Sequence, residues 1–258
     1  MGLHRGGKTV RVPRIFVRPE EWQGRETVRV TGTSAQHITR VLRLGAGAEL
    51  VVLDGEGGAY RAEIRELTRD GFTAAITGTA SVTGEPDLAI TLIQGLPKGD
   101  KMDYVVQKAT EVGVSRIIPL ASERAVVRAR EERTDKKRER WKRIATSAAE
   151  QAFRLVVPEI LPVMTLPRVL DFTPPEAFIL FPWEEERENP LKAVLRSHPA
   201  AQDIYIFIGP EGGFTEAEAR AAADRGAHRV TLGPRILRTE TAGPLVTALV
   251  LYEWGDHS

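Results

Sequence analysis

The sequence predicts an α/β protein, a parallel sheet covered by helices and preceded by a small β-rich unit. Three observations lead there. Short alternating strands joined by Asp-Gly turns fill residues 26–78. A small, polar, turn-rich stretch, "GTASVTGEP" from Gly78 to Pro86, reads as an interdomain linker. Beyond it, strands and helices alternate to the C-terminus, as in a parallel sheet with both faces covered.

Taken in order, "ETVRV" alternates as a strand, and "TSAQHITRVLR" follows as a short helix with Thr33 or Ser34 as N-cap. "AELVVLDG", "AYRAEIREL" and "FTAAITG" complete the first unit as strands, with Asp-Gly turns between them. Several short strands around one helix predict a compact barrel. In the second unit "LAITLIQ" is a strand, and "DKMDYVVQKATEVG" is an amphipathic helix ended by Gly113. "SRIIPL" is a strand and residues 131–153 a long basic helix. "AFILFP" precedes "NPLKAVLRS", a helix with Pro190 near its first position. "DIYIFIG", a helix over 215–225, "HRVTLG" and a helix over 237–254 close the chain. Ligands of such sheets sit at the C-terminal ends of the strands, where Gly209, Gly233 and the segment after Leu180 fall.

Composition narrows the chemistry. The 258 residues include no Cys, which excludes a disulfide framework, Cys-ligated zinc and a Cys nucleophile; no metal site is expected. No apolar run approaches the roughly 20 residues of a membrane span. The N-terminus has basic residues but no apolar segment with a cleavage site, so neither membrane nor signal peptide is expected, and the cytoplasm is the expected location. The formal net charge of +1 hides an asymmetry: residues 1–43 carry a net +6 and residues 122–154 a net +5. Such segments on a near-neutral protein point to a polyanion partner, RNA or DNA, on one face. For 131–143, where acids interleave, a solvated helix explains the charge equally well.

Two Gly-Pro turns carry the functional signal. In "IGPEGGFTEAEA" (Ile208 to Ala219), Thr215 and Glu218 make a capping box that starts a helix. Gly209, Gly212 and Gly213 allow a ligand close to the backbone. A Gly-rich loop before a helix invites phosphate, but Glu211, Glu216 and Glu218 already surround this one, and no Lys or Arg is present. A neutral or cationic ligand fits better, a sulfonium cofactor among them; a plain capped turn is the simpler alternative. In "LGPRILRTETAG" (Leu232 to Gly243), Leu232, Ile236 and Leu237 surround a turn in which a flat heteroaromatic ring can be sandwiched. Capping accounts for Thr239, Glu240 and Thr241 at the following helix start. Arg238 does not fit that account, because a cation there opposes the helix dipole.

With these motifs the sequence resembles the bacterial 16S ribosomal RNA uridine-N3 methyltransferases of the SPOUT superfamily, which are trefoil-knotted and S-adenosylmethionine-dependent. "IGPEGGFTEAE" and "LGPRILRTETA" carry the resemblance. "KGDKMDYVVQKATEVGVSRIIPL", "SERAVV", "AAEQAFRLVVPEI", "PRIFV" and "HITRVLRLGAGAELVVLDGEG" support it along most of the chain. Gly243, within the last helix, and a longer segment before Pro13 depart from the family pattern.

The resemblance implies a PUA-like β-barrel over 1–80, a SPOUT domain with a C-terminal trefoil knot over 87–258, and a homodimer. It implies S-adenosylmethionine bound in the knot by three loops, through Leu180, Phe181, Gly209, Glu211, Gly212, Gly213, Leu232, Gly233, Ile236, Leu237 and Arg238. The implied partner is 16S ribosomal RNA in the small ribosomal subunit. Arg14, His37, Arg40 and Arg43 of the first domain, with Gln151 and Arg154 of the second, are the expected RNA contacts; packing or capping accounts equally for His37. Lys98, Lys101, Lys108 and Glu111 lie on family-like motifs that a solvated face or a dimer contact also explains.

The absence of Cys closes the usual route to pyrimidine C5 methylation and leaves N- or O-methylation open. For uridine N3, Arg238 is the expected stabiliser of charge on O2 and O4, with Glu240 as candidate base or orienting residue. The competing readings are a SPOUT ribose 2′-O or guanosine N1 methyltransferase and a non-catalytic RNA-binding ribosome-assembly factor. The factor would leave two ligand-shaped loops unexplained.

Overall fold

Residues 12–81, 84–124 and 131–255 are described in a computed structural model of the chain. Of the two basic segments, residues 1–11 and 125–130 therefore lie outside the described residues, as does the end of "SERAVV". The chain forms two units, Met1–Gly84 with Phe153–Val157, and Glu85–Ala152 with Pro158–Ser258.

The first unit is a six-stranded sheet. Its strands are β1 (Arg14–Phe16), β2 (Trp22–Gln23), β3 (Thr27–Thr31), β4 (Glu49–Leu53), β5 (Ala59–Leu67) and β6 (Gly71–Thr79), in the order β1-β4-β5-β6-β3-β2. All neighbours are antiparallel except β1 and β4. Strand alternation puts Val28 and Val30, Leu50 and Val52, Ala62 and Ile64, and Phe72 and Ala74 into one core. Ile15 and Ile38 join them, so the sheet encloses its apolar face. The expected single helix is two turns of different pitch: α1 (Gly32–Gln36), capped at Thr31, then a π-helical turn His37–Val41. The wider turn buries Ile38 and leaves His37, Arg40 and Arg43 exposed. Residues 153–157 join this unit although the sequence reading placed them in the second domain. Val156 bridges Gly55 and Glu56, and Arg14 donates from Nη1 to the Phe153 carbonyl at 3.1 Å.

The second unit is a parallel sheet. Its strands are β7 (Ala89–Gly95), β8 (Arg116–Ala121), β9 (Glu159–Ile160), β10 (Met164–Thr165), β11 (Phe178–Pro182), β12 (Asp203–Ile208) and β13 (His228–Val230). The order is β10-β8-β7-β12-β11-β13, with β9 also on β8. Consecutive buried residues such as Ile204 to Ile208 mark strands covered on both faces. The helices are α2 (Lys101–Val112), α3 (Glu131–Gln151), α4 (Leu166–Phe172), α5 (Leu191–Ser197), α6 (Glu216–Ala223) and α7 (Thr239–Trp254). Gly113 ends α2 with φ +127°, where L-residues are strained. Thr215 and Glu218 form the capping box that starts α6.

Beside β11, Trp183 N donates to Val230 O at 3.1 Å, Thr231 N to Asn189 O at 2.8 Å, and Leu191 N to Thr231 O at 3.1 Å. Both ends of the 183–190 loop thus pair with residues 230–231, and α7 packs against α2 and β12.

Candidate active site

Three loops leave the C-terminal ends of β11, β12 and β13 and enclose a cavity of about 550 Å³. Parallel register sets those ends side by side, with Leu180 opposite Ile206 and Ile206 opposite Leu92. The cavity size suits a small-molecule ligand. The two Gly-Pro turns form two of its walls, and the 183–190 loop forms the third.

The walls are fastened to one another. Thr239, at the first turn of α7 and buried, donates its hydroxyl to the Gly209 carbonyl and accepts from Gln94 Nε2 at 2.8 Å. Gln94 sits at the end of β7 with its Oε1 buried and without a partner among the described residues. A Cβ on Gly243 would stand 2.8 Å from that oxygen and 3.2 Å from Leu92. The absence of a side chain at Gly243 therefore makes room for Gln94. Gly213 is held at φ +67°, and a Cβ there would run into the Glu184 carboxylate.

The cavity lining carries both signs of charge: Glu184, Glu211 and Glu240 from its three walls, with Lys101, Arg187, Arg235 and Arg238. Lys101 Nζ bridges two of the acids, 3.1 Å from Glu211 Oε1 and 3.4 Å from Glu240 Oε1. The hydrogen bond to Glu211 holds the Lys101 ammonium above its usual pKa, against the opposing effect of burial. Burial pushes the Glu211 carboxyl up, but the Lys98 N–H at 3.0 Å and Lys101 outweigh it and hold the group below the carboxylate range. Glu240 Oε2 is buried without a partner among the described residues. The acids differ from those the sequence suggested. Glu218 is spent on the α6 cap and on the Glu123 N–H at 3.0 Å, and Glu216 pairs with Arg220.

Of the expected cofactor residues, Gly209, Glu211, Gly213, Leu232, Gly233, Ile236, Leu237 and Arg238 line the cavity, as does Glu240. Leu180 and Phe181 do not. Both are fully buried in the sheet, where Phe181 packs on Phe207 and Phe214. Gly212 faces Arg124, which donates to its carbonyl at 3.0 Å. Arg238 is the N-cap of α7, exposed at the cavity and without a side-chain partner among the described residues. Ile236 is 77% exposed at the mouth and does not close over the cavity.

The expected RNA contacts divide. His37, Arg40, Arg43 and Gln151 are exposed. Arg14 is engaged with Phe153, through its carbonyl and across its ring at 4.9 Å. Arg154 is 3% exposed and belongs to the interior, which corrects its reading as a surface cation. Sequence reasoning assigned no role to Glu184, Arg187 or Arg235 and left Lys101 on a family-like motif that a solvated face or a dimer contact also explains; all four line the cavity. Lys101 carried a legible signal, a cation at a helix start, the same one that singled out Arg238.

The fold and cavity define an α/β protein with a loop-built ligand site at the C-terminal ends of its parallel strands, joined to a small β-unit. A family profile described as an RNA methyltransferase domain matches residues 84–251, and one described as an RNA methyltransferase PUA domain matches residues 30–77. The chain belongs to this RNA methyltransferase family. It is 32% identical over 88% of its length to ribosomal RNA small subunit methyltransferase E of Bacillus subtilis, of which 90% is covered. It is 34% identical to the protein of that name from Synechocystis sp., over 92% of this chain and 76% of that one. The crystal structure of a ribosomal RNA small subunit methyltransferase E from Neisseria gonorrhoeae bound to S-adenosyl methionine superposes with a TM-score of 0.85. It is 35% identical and covers 96% of this chain and 100% of its own. The described fold is the SPOUT type with a PUA domain.

Proposed function

We propose that this protein is a cytoplasmic, S-adenosylmethionine-dependent methyltransferase acting on N3 of a specific uridine in 16S ribosomal RNA of the small subunit. The observation that carries the reading is the three-loop cavity, in a chain similar to proteins named for methylation of small-subunit ribosomal RNA. The residues present fit the cofactor. Glu184 is a lining carboxylate with no ion pair to a described residue and favours a cation, and the Gly209–Gly213 loop admits close backbone approach. Leu232 and Leu237 supply apolar walls for an adenine ring.

Bound there, S-adenosylmethionine would supply an electrophilic methyl group and leave as a neutral thioether when its sulfur–methyl bond breaks. The rest falls to the chain. N3 of uridine must lose its proton as it forms its bond to carbon, and negative charge spreads over O2 and O4. The exposed Arg238 guanidinium meets that charge at the cavity. Glu240 accepts the proton at Oε2, while Lys101 holds its other oxygen. Both residues stand at the first turn of α7, so one rigid element positions acid and base.

The enzyme acts as a homodimer. Leu245, Leu249 and Tyr252 are exposed at helical spacing along α7, and Tyr104 is half exposed on the adjoining α2. An apolar stripe of this kind is suited to a second copy.

The test uses labelled S-adenosylmethionine with 16S RNA, naked or in small subunits from cells lacking the modification. Transfer of label to 16S RNA is expected. Calorimetry showing no cofactor binding would instead favour an assembly factor.

A further inference from the structure

Three arginines stand at the cavity mouth: Arg187 on the 183–190 loop, and Arg235 and Arg238 on the loop before α7. All are exposed, and none makes a side-chain hydrogen bond or ion pair to a described residue. Several other arginines of this unit are paired within the chain. Arg196 pairs with Glu253 at 2.8 Å, Arg116 with Glu159 at 3.1 Å, and Arg225 with Asp171 at 3.4 Å. Ile236, beside Arg235, is 77% exposed. An unburied Ile among unpaired cations adds nothing to folding, since apolar surface stabilises only when it leaves water. Yet the loops holding these groups are well braced. Glu186 is buried and accepts from the N–H groups of Glu188 at 2.8 Å and Asn189 at 3.2 Å, which fixes the turn around Arg187.

Glu211 and Glu240 are tied to Lys101, whereas the three arginines of the lining are left without an acid, so an anionic ligand suits that side of the cavity. N3 lies on the Watson–Crick edge of uridine, so the base must be unpaired to bring N3 into a cavity. Its phosphates then stay outside, at the rim. We infer that Arg187 and Arg235 hold the phosphates flanking the target uridine in an unpaired RNA strand, and that Ile236 packs against the neighbouring base. Phosphate contacts set the register of the strand, and an apolar side chain against the next base keeps it from restacking on the target. This rests on the RNA-methylating reading above and adds the form of RNA recognised and the residues that seat it.

The test compares wild type, an Arg187→Ala/Arg235→Ala double variant, the corresponding double Lys variant, and Ile236→Ala. Each is titrated with deproteinised 16S RNA over a range of salt. Each single-strand phosphate contact contributes roughly 0.7 to the slope of log affinity against log salt. The double Ala variant should lose about 1.4 of that slope while its affinity for S-adenosylmethionine, by calorimetry, is unchanged. The Lys variant should recover the slope. Ile236→Ala should keep the slope and lower turnover about tenfold, as the apolar surface buried against the neighbouring base is lost. An unchanged slope in the double Ala variant, or a parallel loss of cofactor affinity, overturns the assignment. Wild-type protein that binds RNA and cofactor but transfers no methyl group counts against the reaction instead, and the slope still reports the rim.

Discussion

Lys101 and Glu211 are joined by an ion pair, Nζ to Oε1 at 3.1 Å, that fastens the first turn of α2 to the first Gly-Pro loop. The same ammonium reaches Glu240 at the start of α7, so one cation holds an acid from each of the two turns. Lys101→Met should free both carboxylates. The expected result is several-fold weaker S-adenosylmethionine binding by calorimetry and a larger loss of single-turnover rate, with partial recovery in Lys101→Arg. Normal rate and affinity in Lys101→Met would detach Lys101 from the site.

Arg238 caps a helix whose dipole it opposes, and it faces the cavity without an acid partner among the described residues. Arg238→Ala should leave cofactor affinity intact and lower turnover on the order of 10²- to 10³-fold, the usual effect of removing one stabilising donor. Equal turnover at intact cofactor binding would remove Arg238 from the mechanism.

Gly213→Ala meets two obstacles, a positive φ and the Glu184 carboxylate. Gly226 has φ +82° with nothing near its missing Cβ, so Gly226→Ala carries backbone strain alone. Both variants should lose about 1–3 kcal/mol of unfolding free energy in urea titrations. Only Gly213→Ala should also weaken the cofactor.

Two loop carboxylates set the acid limit. Burial pushes the Glu186 carboxyl up, but the N–H groups of Glu188, Asn189 and Arg187 outweigh it and hold the group below the carboxylate range. Glu211 is likewise held low. A depressed carboxylate stabilises the fold above its unfolded pKa and loses that contribution as pH falls through its folded value. Unfolding free energy should therefore fall as pH drops below about 4.3, the unperturbed value for Glu, and cofactor affinity only at lower pH, as Glu211 protonates in the folded protein. Neither should fall through this cause near neutrality. Glu186→Gln should flatten part of that dependence.

Leu249 is 40% exposed in the middle of the α7 stripe. Leu249→Glu should convert a dimer to a monomer in light scattering, with native circular dichroism. A wild-type protein that is monomeric at micromolar concentration would contradict the dimer.

Much of this was legible in the sequence. Strand alternation, the Thr215–Glu218 cap and Gly113 locate their elements directly, and the two Gly-Pro turns locate the cavity. What stayed hidden depends on tertiary pairing. Strand β1 has three residues and pairs with β4 in parallel, so no local turn announces it. Helix α4 was overlooked although Pro167 marks its first turn. The return of residues 153–157 to the first unit rests on a bridge at Val156 and on Arg14, both remote in sequence. At the site, Leu180 and Phe181 are strand residues whose side chains serve the core, and Arg187 was masked by the acids on either side of it. A loop's place in the sequence indicates where ligands gather, but which side chains turn inward depends on packing.

The most direct measurement is the identity of the product nucleoside. 16S RNA from cells lacking the modification, treated with the protein and S-adenosylmethionine, is digested to nucleosides and analysed by mass spectrometry. The account predicts 3-methyluridine at a single position, absent with Arg238→Ala. A 2′-O-methylated nucleoside, 1-methylguanosine, or no methylated product from cofactor-bound protein would contradict it.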